Sequence, residues 1–340
     1  MLNTFTPPPE GHMGLFDRIT DPANLLAAWK RVRRNKGSHG GDGVTWQRFE
    51  ARLEANLDKL HRDLSSGHYR PGRLRSVNIK KPGGGRRRLA IPPIRDRVAQ
   101  TAAALALTPM LDRLMSNLSF AYRPDRSVEM ALHQVRDAMA HGGVWVVDLD
   151  IAKFFDSIPH QRLMMELAIW AGDERFLALA GRWLRSFSFW RSIFHKGRGL
   201  AQGAPISPLL ANLYLHPVDR LLAAAGIQAI RFADDIVMLC KTQQAAEQAK
   251  TFMESMIIGR GLSINAGKSS IVHASQGFVF LGQELGGQNF AEKPVLDVTN
   301  MLEHKTHADN DAQAAKRCEE GQTAGARLAL EDRSRAAATP

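Results

Sequence analysis

The chain has 340 residues, 44% of them hydrophobic, which is enough to build a large core. Its formal net charge of +11 indicates a polyanionic partner, most commonly nucleic acid, although charge alone does not exclude an ordinary basic globular protein. Two distant cysteines, Cys240 and Cys318, favour neither a disulfide framework nor a zinc site. With no signal peptide and no apolar stretch long enough to cross a bilayer, we expect a cytoplasmic protein without a membrane partner.

The first hundred residues are rich in basic side chains. Helical spacing predicts a helix near 24–34 and another over 46–64, with a glycine-rich turn between them. Residues 70–97 contain ten Lys or Arg residues and a single acid, Asp96. Within this basic stretch, the alternating pattern on either side of a glycine-rich turn predicts two paired strands.

The remaining elements alternate between helices and strands. Helices are predicted over 97–114, 127–139 and 161–186, in a long segment opened by Pro205 and Pro208 and closed by Gly226, and over 243–258. Strands are predicted over 144–151, on both sides of an acidic turn within 227–240, and near Ile271 and Phe280. From 286 onwards few large apolar residues remain, so we expect a weakly ordered tail.

Three aspartates occupy matching positions at strand ends. Asp234 and Asp235 lie at the turn between two apolar half-strands, and Asp150 ends another apolar strand. Grouped carboxylates are costly unless cations neutralise them, and oxygen ligands favour Mg²⁺. Alternatively, Asp234–Asp235 is only a turn dipeptide and Asp150 caps the next helix. Asp148 shares a strand face with Asp150, and the pattern alone leaves the choice of metal ligand between them open.

Several sequence runs occur in the order found in reverse transcriptases. They resemble most closely the bacterial lineage of group II intron, retron-like and CRISPR-associated enzymes, over residues 35–282. The runs are NKGSHGGDGVT (35–45), KKPGGGRRRLAIP (80–92), AYRPDRSVEMAL (121–132), DIAKFFDSI (150–158), GLAQGAPISPLLANLYL (199–215), RFADDIVML (231–239), GLSINAGKSSIV (261–272) and FVFLG (278–282).

The resemblance implies a metal site and a nucleotide site. Asp150, Asp234 and Asp235 match the catalytic metal ligands, assisted by the backbone carbonyl of Ile151. The residues that match the nucleotide site are Lys81 and Arg87, which grip the triphosphate; Phe155, which packs under the sugar and rejects a 2′-hydroxyl; Gln202 and Gly203, beside the nascent base pair; and Lys268, which protonates the leaving pyrophosphate.

Three of these residues have alternative interpretations. Phe155 would be an ordinary core aromatic without the resemblance, and Arg86 or Arg88 could replace Arg87. Lys268 lies in a segment that suggests a phosphate-binding P-loop. That motif requires Gly at position 262, which is Leu, so we reject it.

The resemblance implies an α+β fold: a polymerase palm with an antiparallel sheet backed by helices, plus basic fingers. We expect an N-terminal extension and fingers over 1–98, the palm over 99–285 and the tail over 286–340. The implied function is RNA-directed DNA synthesis with Mg²⁺, dNTPs, an RNA template and a DNA or RNA primer. Because no thumb is recognisable, a partner protein or structured RNA would supply the clamp. Alternatives are a polymerase with DNA-templated or untemplated activity, or a non-catalytic RNA-binding module.

Overall fold

The computed structural model describes residues 13–80, 86–189 and 197–287, apart from the side chains of Arg87 and Phe189. Every described residue belongs to one compact unit, Met1–Ala291. The predicted tail therefore lies almost wholly outside the described residues, as does Lys81.

Helices and strands both contribute to the described unit, which confirms the predicted mixture of the two. In chain order the α-helices are α1 Leu15–Thr20, α2 Pro22–Arg34, α3 Trp46–Glu50, α4 Leu53–Ser65, α5 Ile94–Asp112, α6 Val128–Ala140, α7 Phe154–Ser157, α8 His160–Ala171, α9 Glu174–Phe189, α10 Ser207–Ala224 and α11 Gln243–Gly259. The strands are β1 Arg75–Lys80, β2 Arg86–Ile91, β3 Trp145–Asp150, β4 Ala229–Phe232, β5 Asp235–Cys240, β6 Ser270–His273, β7 Phe278–Phe280 and β8 Gln283–Leu285.

Helix starts follow ordinary capping chemistry. The Asp21 side chain accepts a hydrogen bond from the amide of Ala23 at the start of α2. Thr45, Ser127 and Thr242 cap α3, α6 and α11 in the same way. Such side chains satisfy amides that have no partner inside the helix, which explains why these three starts lie close to where the sequence predicts them.

The central sheet is antiparallel and has the strand order β4-β5-β3-β6. Helix α11 packs against β3 and β5, while α6 packs against β4 and β5. Alternate residues of β3 therefore enter different cores: Val147 and Leu149 belong to the larger one and Val146 to the smaller one. The middle residues of β3, β4 and β5 are mostly buried, whereas Asp150 and Asp235, at strand ends, are not.

The basic stretch folds as predicted into an antiparallel hairpin of β1 and β2, with Arg75 opposite Ile91 and Lys80 opposite Arg86. We call it the basic hairpin. Four of the six side chains of β1 are exposed, namely those of Ser76, Asn78, Ile79 and Lys80.

Some boundaries differ from the prediction. The single helix predicted over 46–64 is two helices, because Arg52 takes a non-helical backbone conformation with φ −134° and ψ 43°. Helix α1 was not predicted. Helix α5 begins at Ile94, directly after two prolines, rather than at Arg97. No helix within the described ranges combines the length and the hydropathy needed to span a membrane.

Candidate active site

The predicted acids come together at one end of the central sheet. In the β3–β5 pairing, Asp150 lies directly opposite Asp235. Asp234 lies in the turn before β5, between Ala233 and Asp235. Because side chains alternate along a strand, Asp148, Asp150 and Asp235 share one sheet face. This grouping requires the sheet register and is absent from the sequence, where Asp150 and Asp235 are far apart.

The shared sheet face changes character along its length. At one end Val146, Val237 and Leu239 are buried in the smaller core. At the other end Asp150 and Asp234 are half-buried and Asp235 is exposed. Apolar packing thus fixes the strands, while the acids remain open to a ligand from solvent.

Electrostatic repulsion acts among the four carboxylates. Partial burial, followed by the charges of Asp234, Asp150 and Asp148, raises the pKa of Asp235 to about 6, although Lys268 acts in the opposite direction. Burial and the charge of Asp150 also raise the pKa of Asp148. These raised pKa values reflect repulsion among the carboxylates, and a bound cation would reduce that repulsion.

Asp150 is held in place by the segment that follows α11. Its Oδ2 accepts a hydrogen bond from Asn265 Nδ2 at 2.8 Å, and its carbonyl accepts one from the Asn265 amide at 2.8 Å. Its amide donates to Ser269 Oγ at 3.2 Å. The same segment forms a β-bridge between Ile151 and Ile264. The backbone hydrogen bonds to this segment come from Asp150 and Ala152, on either side of Ile151. The Ile151 carbonyl therefore points away from the segment, towards the side of β5.

Phe155 is packed against the larger core and also pairs with an aromatic residue of another segment. Its side chain is half-buried, and its ring lies edge to face against Tyr122, with 6.5 Å between centroids. Tyr122 is 54% exposed and has a positive φ of 61°, which is uncommon for a bulky residue. The pair therefore lies at the surface, with the Tyr122 ring more exposed than that of Phe155.

Gln202 and Gly203 join the site to the basic hairpin. The Gln202 carbonyl accepts a hydrogen bond from the amide of Ala90 on β2 at 2.7 Å. Gly203 has φ +116°, and a Cβ there would lie 3.1 Å from the carbonyl oxygen of Ala90. Both the conformation and the close approach therefore require glycine at this position.

The structure describes the three predicted cationic residues to different extents. Lys268 is exposed and close enough to Asp235 to lower its pKa, so the structure brings it to the acids. The backbone of Arg87 lies in β2 opposite Ile79, but its side chain is not described. Lys81 lies outside the described residues, between the two strands of the basic hairpin.

The donor set suits a hard divalent cation, because carboxylate oxygens are the ligands that such ions prefer. Across the described ranges, however, no three His, Cys, Asp or Glu side chains already stand in a metal-binding arrangement. The acids at this site therefore repel one another without forming a preassembled cage. The side chains of Asp150, Asp234 and Asp235 would therefore have to move to share an ion.

Three residues with a clear structural place were not singled out from the sequence. Asn265 holds the Asp150 carboxylate, Tyr122 pairs with Phe155, and Arg231 lies buried beneath the acidic turn. Each lies inside a run that carries the family resemblance, at 261–272, 121–132 and 231–239. Membership of those runs was the only indication that the sequence contained.

Residues 79–285 match the family model described as "Reverse transcriptase (RNA-dependent DNA polymerase)". The protein YkfC of Escherichia coli strain K12 is 30% identical over 312 residues, which cover 78% of this chain and 81% of that one. The group II intron-encoded protein LtrA of Lactococcus lactis is 28% identical over 210 residues, or 61% of this chain and 35% of LtrA. The retron Ec86 reverse transcriptase of E. coli is 28% identical over 206 residues, which cover 58% of this chain and 59% of that one.

A solved structure titled "Partial Cas6-RT-Cas1--Cas2 complex" is also similar, with 27% identity and a TM-score of 0.44. The match covers 72% of this chain and 43% of that one. This chain thus spans about a third of LtrA and less than half of the matched chain in the complex.

Proposed function

We propose that this chain, which belongs to the reverse transcriptase family, carries out RNA-directed DNA polymerisation and joins dNTPs to a primer 3′-hydroxyl at the acid end of the central sheet. The observation that supports this location is the register that places Asp150 opposite Asp235 beside Asp234. The raised pKa of Asp235 reflects repulsion among these carboxylates, and bound cations would offset that repulsion.

We propose that the central sheet and its helices form the polymerase palm, over 99–285. The basic hairpin belongs to the fingers, within 1–98, and the bond from Ala90 to Gln202 connects the two. This link supports a fingers element that closes on the nucleotide while remaining attached to the palm. The tail over 286–340 stays a prediction.

Enzymes of this family work with divalent metal ions, and we propose Mg²⁺ for this chain. Asp150, Asp234 and Asp235 would hold the ions, with the carbonyl of Ile151 as a further oxygen ligand. When bound, the ions would activate the primer hydroxyl and balance charge on the leaving pyrophosphate. Asn265 orients one oxygen of Asp150 and leaves the other for a ligand.

The nucleotide would be recognised by residues from both sides of the site. Phe155, held edge to face by Tyr122, would fill the space of a 2′-hydroxyl. Gln202 and Gly203 would lie beside the nascent base pair, and the missing Cβ of Gly203 lets the Ala90 carbonyl of the basic hairpin approach this backbone closely. Lys81 and Arg87 would bind the triphosphate. Lys268 would donate a proton to the leaving group, since it is the cation already close to Asp235.

The template and primer would lie along the basic part of the surface. Residues 70–97 contain ten basic residues against one acid, and the chain carries a net charge of +11. Such a surface binds the phosphates of any sequence, which suits an enzyme that copies whatever template it holds. We therefore propose an RNA template paired with a DNA or RNA primer as the bound duplex.

Primer extension tests the proposal. The purified chain is given a labelled primer on RNA and DNA templates of matched sequence, with dNTPs and Mg²⁺. We expect extension on RNA that requires the metal and is lost in Asp234→Ala, while Asp58→Ala, at an exposed acid of α4, leaves it unchanged. Extension on DNA alone would support a DNA-templated polymerase. Tight RNA binding without extension would support a non-catalytic RNA-binding module.

A further inference from the structure

A buried arginine lies directly before the acidic turn. Arg231 is 2% exposed, and its guanidinium uses all five N–H groups. Asp219 accepts two, from Nε at 2.7 Å and from Nη2 at 2.6 Å. The others go to Asn212 Oδ1 at 3.0 Å, Ser119 Oγ at 2.7 Å and the carbonyl of Ala233 at 3.0 Å. With every donor satisfied, the side chain has a single orientation.

One of these bonds reaches the metal-ligand turn. Ala233 has a positive φ of 62°, a conformation that costs energy for any residue other than glycine. Its carbonyl, held by Arg231 Nη1, immediately precedes Asp234. The bond therefore stabilises the strained residue that sets the direction in which Asp234 and Asp235 leave the strand.

The same arginine holds the loop that leads to Tyr122. Its amide donates to the carbonyl of Leu118 at 2.8 Å, and its carbonyl accepts from the amide of Phe120 at 2.9 Å. Asn212, already bonded to the guanidinium, donates from Nδ2 to the carbonyl of Ala121 at 2.7 Å. The loop from 118 to 121 is thus fixed by backbone and side-chain bonds of one buried network.

This loop continues into the aromatic pair. Tyr122 follows Ala121 directly, and its ring meets the edge of Phe155. A shift of the loop would therefore move the group that supports the proposed sugar contact. The network thus bonds to the acidic turn through Ala233 and to the loop that leads to Tyr122 through Ser119 and Ala121.

We propose that Arg231 is a positioning residue that sets the acidic turn and the Tyr122–Phe155 pair from one buried network. Metal binding and sugar choice therefore depend on it together. Arg231 touches neither substrate nor metal and acts through Ala233 and the 118–121 loop. The inference rests on the proposed function of the site, and it predicts a coupling that a merely stabilising ion pair would not produce.

Asp219→Asn is the first test. The amide keeps the shape of the carboxylate but turns one acceptor into a donor that faces the guanidinium, so Arg231 must reorient. We expect the protein alone, without nucleotide, to bind Mn²⁺ about 10-fold to 100-fold more weakly, as loss of an outer support of a metal ligand does. Free Mn²⁺ measured by electron paramagnetic resonance gives this affinity. The kcat/KM preference for dNTP over rNTP should fall by about tenfold.

Glu166→Gln is the matched control. Glu166 pairs with Arg260 Nη2 at 2.8 Å, and both side chains are mostly buried. The substitution makes the same acid-to-amide change in an ion pair between α8 and the end of α11 that has no bond to the acidic turn. We expect Mn²⁺ affinity and sugar preference to match the wild type even if the melting temperature falls.

Ser119→Ala keeps the inference testable if Asp219→Asn does not fold. It removes one hydroxyl from the loop side of the network, and it should lower the sugar preference. A folded Asp219→Asn or Ser119→Ala with wild-type Mn²⁺ affinity and sugar preference overturns the coupling. If the wild type itself neither binds Mn²⁺ nor extends a primer, the proposed function fails first, and the inference is overturned with it.

Discussion

Removing one carboxylate from the acid cluster should stabilise the metal-free protein. Asp235 lies opposite Asp150 and next to Asp234, and its pKa is raised to about 6 by burial and by these like charges. Its ionised form is therefore disfavoured in the folded state relative to the unfolded chain. Asp235→Asn keeps the side-chain shape and removes the charge, so the variant should unfold less readily than the wild type near neutral pH, although it loses activity.

The magnitude follows from the shift in pKa. A rise from 3.8 to about 6 corresponds to about 3 kcal/mol against the folded, ionised form at neutral pH. Asp235 is exposed to solvent, which screens the repulsion, so we expect a gain of about 1 kcal/mol, or about 2 °C in melting temperature. As pH rises from about 4 to 6, the unfolded state loses the proton first and wild-type stability falls. The stability of Asp235→Asn should not fall in this way, because the variant has no carboxyl group at this position.

Urea denaturation in EDTA at several pH values measures the effect. The stability difference between Asp235→Asn and wild type should be absent below about pH 4, grow up to about pH 6 and stay constant above it. Asp58→Asn, at an exposed acid of α4, makes the same change in net charge and should not stabilise the protein. Added Mg²⁺ should stabilise the wild type more than the variant. Equal or lower stability of Asp235→Asn at pH 7.5 in EDTA would refute the account of mutual repulsion.

Three further predictions concern chemistry, sugar choice and template binding. Asp234→Ala should abolish dNTP incorporation while circular dichroism and RNA binding stay near wild type; near-normal incorporation would remove Asp234 from the metal site. Phe155→Val should raise the kcat/KM for rNTP relative to dNTP about tenfold or more, and an unchanged ratio in an active variant would make Phe155 a packing residue only. Arg73→Gln should reduce the slope of log affinity against log salt by about 0.9, because Arg73 is exposed. Arg75 is half-buried and bonded to Ser38 at 2.6 Å, so Arg75→Gln should change the slope less.

Local patterns in the sequence predicted strands β1 to β7 and the starts of the capped helices α3, α6 and α11. The two apolar runs on either side of Asp234 and Asp235 predict two strands joined by a turn. The alternation of side chains along a strand places Asp148 and Asp150 on the same face. The family resemblance then supplied roles for these residues, and the family match confirms the resemblance. The division of 46–64 into two helices was missed because both halves have helical spacing, and only the backbone at Arg52 separates them.

The tertiary structure decided which distant residues meet. Ser119 and Arg231 are 112 positions apart in the chain, yet they share a hydrogen bond of 2.7 Å. Ala90 and Gln202 are just as far apart in the sequence, and their backbone hydrogen bond joins the basic hairpin to the site. Periodicity reports which face of an element is buried, but it carries no information about the partner that covers it. A buried arginine is therefore indistinguishable from a surface one in the sequence, because four of the five atoms that accept from Arg231 lie in α10 and in the loop at Ser119, which only folding brings to it.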